Sequence, residues 1–303
     1  MMPFEPGLHY AFPQPIPEAD TTHIERKMFD LAYATLSPAQ TLDIYWPAEG
    51  NGPFPVIVAI HGGAFMGGDK RDRQLTPMLE GLKSGYMVAS INYRMSGEAR
   101  FPALVHDVKA AIRWLRAQAA TLLVDSQRIA VWGGSAGGYL SLMAGVSAHV
   151  PALDDRTLGN ADESCHVQAV VDWFGPTDFL RMDEQLAASG MAPAAETAHS
   201  GANSPESLLL GRTITEVPDL VRAANPETYL HVGSPPFFIQ HGDMDDTVPH
   251  QQSVAFAAKA RALLGADKVR LELLPGARHA DPAFATSSNV QKVLDFLDDY
   301  LRS

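Results

Sequence analysis

Residues 55–60 read PVIVAI, an unbroken run of apolar and mostly β-branched side chains with no polar side to turn toward water. A strand of this kind is stable only when both of its faces are covered, the condition of a strand inside a parallel sheet flanked by helices. The rest of the chain repeats the requirement. YMVASINY (86–93), RIAVWG (128–133), VQAVVDWF (167–174), PPFFIQHG (235–242) and KVRLELL (268–274) read as further strands. Helical spacing fills the intervals at 103–119, 136–148 and 251–264, and a closing helix is expected at 289–301. In the first of these, Leu104, Val108, Ala111, Ile112 and Leu115 fall on one face. Two earlier stretches, around 31–35 and 41–46, the second alternating as TLDIYW, suit an edge hairpin. Strands that alternate with helices predict an α/β fold, a mostly parallel doubly wound sheet with helices on both faces.

A chain of 303 residues, 46% hydrophobic and 19% charged, can build one large core, and a single domain over 1–303 is expected. The exception to its regular alternation is an insertion at about 176–234. The middle of that insertion, SGMAPAAETAHSGANSPES, carries no sustained period. Long irregular segments in compact domains are usually functional, so a small lid is predicted there. Residues 1–30, with Pro13, Pro15 and Pro17, are expected to wrap beside it.

The net charge of -12 argues against nucleic acid and anionic membranes as partners, since the one basic stretch, DKRDR at 69–73, alternates with acids. The first twenty residues lack a basic, then apolar, leader pattern, and no apolar run reaches membrane-spanning length. Unless a leader has been removed, a cytoplasmic protein is expected; a homodimer is left open. Cys165 is the single cysteine, which excludes an internal disulfide and a cysteine-based zinc site. GGDKRD at 67–72 lacks the spacing of a phosphate loop, there is no HExxH, and His106, His149, His166, His199 and His231 fall outside ligand spacing. Neither cofactor nor metal is expected.

Within VWGGSAGGYL (131–140), Ser135 stands where a strand gives way to a helix, at the carboxyl edge where open parallel sheets bind ligands. In a GxSxG turn the serine is forced outward, and glycines such as Gly133 and Gly137 remove Cβ atoms that would strike neighbouring elements. The helix N-terminus behind it favours developing negative charge. Two glycines at these offsets flank a serine by chance in roughly 0.5% of cases, so the motif gains its weight from its position. A serine hydroxyl needs a base, and the base an orienting acid. HGDMDDTVP (241–249) and PGARHADPAF (275–284) offer them at two later strand ends, in the chain order Ser, Asp, His.

With AIHGGAFMGGDKRD (59–72), WGGSAGGY (132–139), VVDWFGPTDF (170–179), PPFFIQHGDMDDTVP (235–249) and LLPGARHADPAF (273–284) in this order, the chain resembles the α/β-hydrolase carboxylesterases. It is similar to their hormone-sensitive-lipase-like group and to bacterial feruloyl esterase-like proteins, over most of its length from about residue 30. The resemblance implies Ser135 as nucleophile, His279 as general base and acid, and Asp245 as the orienting carboxylate. Asp245 is the fifth residue of the family's HGxxDxxVP pattern; its neighbours Asp243 and Asp246 compete and read otherwise as turn formers.

In HGGAF (61–65) the resemblance implies an oxyanion hole from the amides of Gly63, Ala64 and Ala136, each worth about 3 kcal/mol to a developing alkoxide. Ala64 stands where the family often has a third glycine, which leaves Gly62 with Gly63 as an alternative pair. His61 and His241 read as loop braces, Asp178 as a tether for the insertion, and Met66, Trp132, Trp173 and Phe174 as core or pocket wall. The activity implied is cofactor-independent hydrolysis of short-chain or aryl esters of feruloyl or acetyl type through an acyl-enzyme. An amide hydrolase of the formamidase type is the alternative, although Phe65 stands where those enzymes have Trp. A non-catalytic ligand-binding protein on the same fold would lack nucleophile or base, and this chain has Ser135 and His279.

Overall fold

The computed structural model describes residues 16–191 and 197–302. Among them eight strands form one sheet: β1 (Lys27–Ala32), β2 (Thr41–Tyr45), β3 (Phe54–Ile60), β4 (Met87–Ile91), β5 (Val124–Gly134), β6 (Ala169–Trp173), β7 (Phe237–Gly242) and β8 (Val269–Leu274). The order is β1-β2-β4-β3-β5-β6-β7-β8. All neighbours from β4 to β8 are parallel, and β2 runs antiparallel to both β1 and β4. The sequence-based expectation of a mostly parallel, doubly wound sheet holds, and the architecture is the α/β-hydrolase fold.

The helices are α1 (Thr76–Leu79), α2 (Ala103–Ala117), α3 (Ala119–Leu122), α4 (Ala136–Val146), α5 (Met182–Ala188), α6 (Pro205–Leu210), α7 (Pro218–Ala224), α8 (Gln251–Leu264) and α9 (Ser287–Leu301). The pleat of β3 explains why they occupy both faces. Val56, Val58 and Ile60 point into a core shared with Leu104 and Ile112 of α2, Leu140 and Met143 of α4 and Phe256 of α8. Ile57 and Ala59 point the other way, against Met78 and Leu79 of α1 and Val293, Leu294 and Leu297 of α9. A run with no polar residue is the sequence such a strand requires.

Three expectations are corrected. The first strand lies at 27–32, not 31–35, because Tyr33 and Ala34 are buried at the start of a turn in which Gln40 Oε1 accepts the amides of Leu36 and Ser37. Residues 1–15, with Pro13 and Pro15, lie outside the described residues, and the segment from Ile16 hydrogen-bonds to 71–73 rather than wrapping beside the insertion. Ala19 N–H donates to Arg71 O at 2.8 Å and Arg73 N–H to Pro17 O at 2.7 Å.

The insertion, finally, is not structureless where described. Short helices α5, α6 and α7 bury Met182, Leu209, Leu210 and Val221 in the same core as α4, and at 6 or 7 residues each they are too short to leave a periodic signal. Residues 192–196 of its middle lie outside the described residues. Asp178 tethers its start as expected, accepting Asn225 Nδ2–H at 3.2 Å while its own amide donates to Gln252 Oε1 at 2.6 Å.

Leu297 is fully buried against the sheet. Leu297→Ala is expected to lower unfolding free energy by about 2–5 kcal/mol in urea titrations at unchanged slope. A loss under about 1 kcal/mol would contradict this packing.

Candidate active site

The site begins with a close approach. A Cβ on Gly137 would sit 2.0 Å from Ile60 O, and one on Gly133 would sit 2.4 Å from the Gly137 backbone, so α4 can start against the end of β3 only with glycine at both positions. The tight turn this produces holds Ser135 at φ 56°, ψ -122°, a conformation that a β-carbon disfavours, with its amide donated to Trp173 O at 2.8 Å. The Ser135 hydroxyl is thereby projected away from the sheet.

The loops after β7 and β8 bring the other two residues to it. His279 Nε2 is 3.0 Å from Ser135 Oγ, and His279 Nδ1 is 2.7 Å from Asp245 Oδ2. The Asp245 side chain has no exposed surface. Its Oδ1 accepts the amides of Thr247 and Val248 at 2.9 and 2.8 Å, and its Oδ2 is also 3.2 Å from His241 Nε2. Burial alone would raise the Asp245 carboxyl, but the donors from His241 and His279 outweigh it and hold the group well below the usual carboxylate range. Asp245 therefore stays ionised and Nδ1 of His279 carries a proton, which leaves Nε2 free to accept one.

Asp243 and Asp246 serve other contacts. Asp243 accepts the Gly276 amide at 2.7 Å, and Asp246 pairs with Arg278 at 2.6 Å. Both tie together the two loops that carry Asp245 and His279, and neither reaches the imidazole. His241 is fully buried, within 2.7 Å of Ser253 Oγ and 2.8 Å of Val248 O, a loop brace as expected that also touches Asp245. The Phe174 ring meets His279 edge-on at 4.9 Å, limiting where the imidazole can turn.

In the loop after β3, Gly63, Ala64 and Phe65 all have positive φ. The Gly62 amide is donated to Gln74 Oε1 at 3.0 Å. The amides of Gly63, Ala64 and Ala136 have no acceptor among the described residues. Of the two pairs left open by the sequence, Gly63 with Ala64 therefore has its donors free and Gly62 does not. His61, buried and stacked on Tyr93 at 4.5 Å, donates from Nδ1 to Gly62 O and braces this loop.

Ser135, His279, Gly63 and Ala64 line a cavity of about 640 Å³. Its apolar wall comes from Ile16, Leu75, Pro77, Met78, Phe174 and Phe284, and Trp173 joins it, whereas Trp132 is wholly in the core and Met66 is outside the wall. No described residue of 176–234 lines it. Among the described residues no group of three or more His, Cys, Asp or Glu side chains could hold a metal ion, and no helix is long and apolar enough to cross a membrane.

Several contributors escaped the sequence reading. Gln74 lies 12 residues from the amide it occupies, and nothing in its own neighbourhood marks it. Asp172 is fully buried on β6, with Oδ1 accepting the Gly175 amide at 2.9 Å and packed against Gly138, and Oδ2 without a partner among the described residues. Burial raises its carboxyl to about 7. An acid inside an apolar strand was the available signal.

The BD-FAE family model matches residues 42–260. Esterase LipQ of Mycobacterium tuberculosis is 33% identical over 247 residues, 82% of this chain and 55% of that one. A truncated form of carbohydrate esterase from gut microbiota superposes with a TM-score of 0.82 at 32% identity, covering 94% of this chain and 100% of that one. Esterase Est2 of Thermogutta terrifontis, with propionate bound, gives 0.66 at 25% identity, over 96% of both chains. The chain spans about half the length of the curated relatives it matches.

Asp172 generates a stability prediction. Its folded value near 7 exceeds the 3.8 usual for aspartate, so the folded chain keeps a proton that the unfolded chain releases, and stability falls as pH rises from about 4 to about 7. Asp172→Asn removes that loss. Its stability advantage over the parent should widen between pH 5 and pH 8, by an amount on the order of a few kcal/mol in denaturant titrations; a gap of equal size at both pH values would contradict the assignment.

Proposed function

The chain belongs to the BD-FAE family, and from that premise we propose that it is a carboxylic-ester hydrolase that works through a serine acyl-enzyme. The observation that carries the proposal is the continuous contact Asp245, His279, Ser135 at 2.7 and 3.0 Å, with Asp245 buried and ionised. His279 Nε2 takes the Ser135 proton as Oγ attacks the ester carbonyl. Asp245 holds the imidazole in the required tautomer and stabilises the imidazolium that results. The alkoxide is received by the amides of Gly63, Ala64 and Ala136, preorganised donors worth about 3 kcal/mol each. His279 then returns the proton to the leaving alcohol oxygen. In the second half it deprotonates a water that attacks the acyl carbonyl, and as that tetrahedral intermediate collapses it gives the proton to Ser135 Oγ, which leaves as the free hydroxyl with release of the acid.

The cavity's volume and largely apolar wall support short acyl or aryl groups, of acetyl or feruloyl type, over long chains. The similar protein described as a carbohydrate esterase supports sugar-borne esters of such acids as substrates. The amide alternative finds no support in the loop that distinguishes it, because Phe65 is buried against Tyr139 and Phe179 and gives nothing to the cavity wall.

Turnover of p-nitrophenyl acetate, butyrate and octanoate, methyl ferulate and an aryl formamide by the purified chain checks this reading. Acetate, butyrate and ferulate should exceed octanoate and the formamide, and Ser135→Ala should lower kcat by at least about 10³-fold. Asp245→Asn, which reverses the His279 tautomer, should lower kcat by about 10²–10⁴-fold with KM little changed. Hydrolysis by Ser135→Ala at the parent rate would overturn the mechanism.

A further inference from the structure

His199 belongs to the insertion and lies outside the constellation described so far. It is 8% exposed, and both of its ring nitrogens face oxygen: Nδ1 is 3.1 Å from Glu206 Oε2 and Nε2 is 2.9 Å from the Thr247 carbonyl. A carboxylate and a carbonyl can only accept, so both contacts are hydrogen bonds together only when both nitrogens carry protons. The titratable groups turned toward the ring are Glu206 from α6 and Asp183 from α5, the latter also accepting the amides of His199 and Ser200 at 2.8 Å each. Both are acids. Burial works against a charge on His199, but Glu206, the Thr247 carbonyl and Asp183 outweigh it and raise its affinity for the proton above that of an ordinary histidine.

The peptide that His199 grips is the one that holds Asp245. Thr247 offers its carbonyl to His199 and its amide to Asp245 Oδ1, and the Val248 amide binds the same oxygen. We propose that His199, as an imidazolium held by Glu206, is a positioning residue for the active site, fixing the 245–248 segment so that Asp245 stays aligned on His279. The inference rests on the ester-hydrolase reading for its effect on rate, but not for the charge on His199. Loss of one proton leaves the other on Nδ1, where the Glu206 carboxylate is the stronger acceptor, and the Thr247 carbonyl then faces a bare Nε2 and loses its donor. The folded affinity being raised, the contribution is complete below the ordinary histidine value and is lost as pH rises through the folded value. The consequence is an alkaline decline in kcat that originates in the insertion, although His199 itself does not line the cavity.

Two measurements on the full chain test this. In ¹⁵N spectra of the histidine side chains at pH 7, one residue should show both ring nitrogens protonated, and that signal should be missing from His199→Gln. In kcat profiles with p-nitrophenyl butyrate from pH 6 to 10, the parent should decline on the alkaline side. Glu206→Gln, which keeps the shape but removes the charge that holds the proton, should move the decline to lower pH by about one unit or more. His199→Gln should be lower by about tenfold and lack the decline, the worth of one charge-assisted hydrogen bond. Circular dichroism and Tm at pH 7 identify a variant that fails to fold, and Glu206→Gln alone then decides. A neutral ring in the ¹⁵N spectrum, or superimposable alkaline limbs in parent and Glu206→Gln, would overturn the inference. Full hydrolysis by Ser135→Ala would instead sink the ester-hydrolase reading and leave the spectrum to decide the charge.

Discussion

A carboxylate with no exposed surface must find donors on every side or take up a proton, and Asp245 has two amides on one oxygen and two imidazoles on the other. Each donor comes from a part of the chain that must be in register for the site to exist. The amides require the loop after β7 to turn back on itself; His241 ties that loop to β7 itself; His279 brings in the loop after β8 and, through it, the turn between β5 and α4. The long-range order of the sheet and the ionisation of one side chain are thus mutually dependent. An unpaired Asp245 would be driven to protonate by its own desolvation, and the His279 tautomer would go with it.

Conformational strain is stored around the same point. Ser135, Ala64, Phe65, Phe174 and Ala280 all have positive φ without being glycine, and all five lie in the loops or turns that carry or flank the cavity. Such residues persist where surrounding packing over-determines them. Here the packing is identifiable: α4 pressed on the end of β3 through Gly137, the 63–67 turn closed by the Gly63 carbonyl, and the Phe174 ring against His279 and Phe284. The amides of Gly63 and Ala64, which have no acceptor among the described residues, belong to that distorted turn.

Much of this was legible in the sequence because it depends on local pattern. The unbroken run at 55–60 required a doubly covered strand, and Ser135, Asp245 and His279 each follow a recognisable strand. Glycine at 133 and 137 announced the tight turn. What could not be read depends on contacts between distant residues that leave no periodic trace. Helix α2 displays its apolar stripe openly, but its buried Asp107, Lys109 and Arg113 look like surface charges until Arg94, the Ser147 carbonyl and Asp154 are brought against them. Gln74 and His199 are equally silent, one occupying Gly62 and the other gripping Thr247. The insertion failed for a different reason: helices of one or two turns bury too few residues to show a period, although their hydrophobic side chains complete the core beside α4.

The central claim is that Ser135 is made nucleophilic by His279 on a buried, ionised Asp245. Peptide mapping by mass spectrometry after treatment with a fluorophosphonate tests it most directly, because the reagent reports the activated hydroxyl without reference to any natural substrate. The account requires a single adduct per chain, carried by the peptide containing Ser135. An unmodified protein, or an adduct on any other residue, would contradict it.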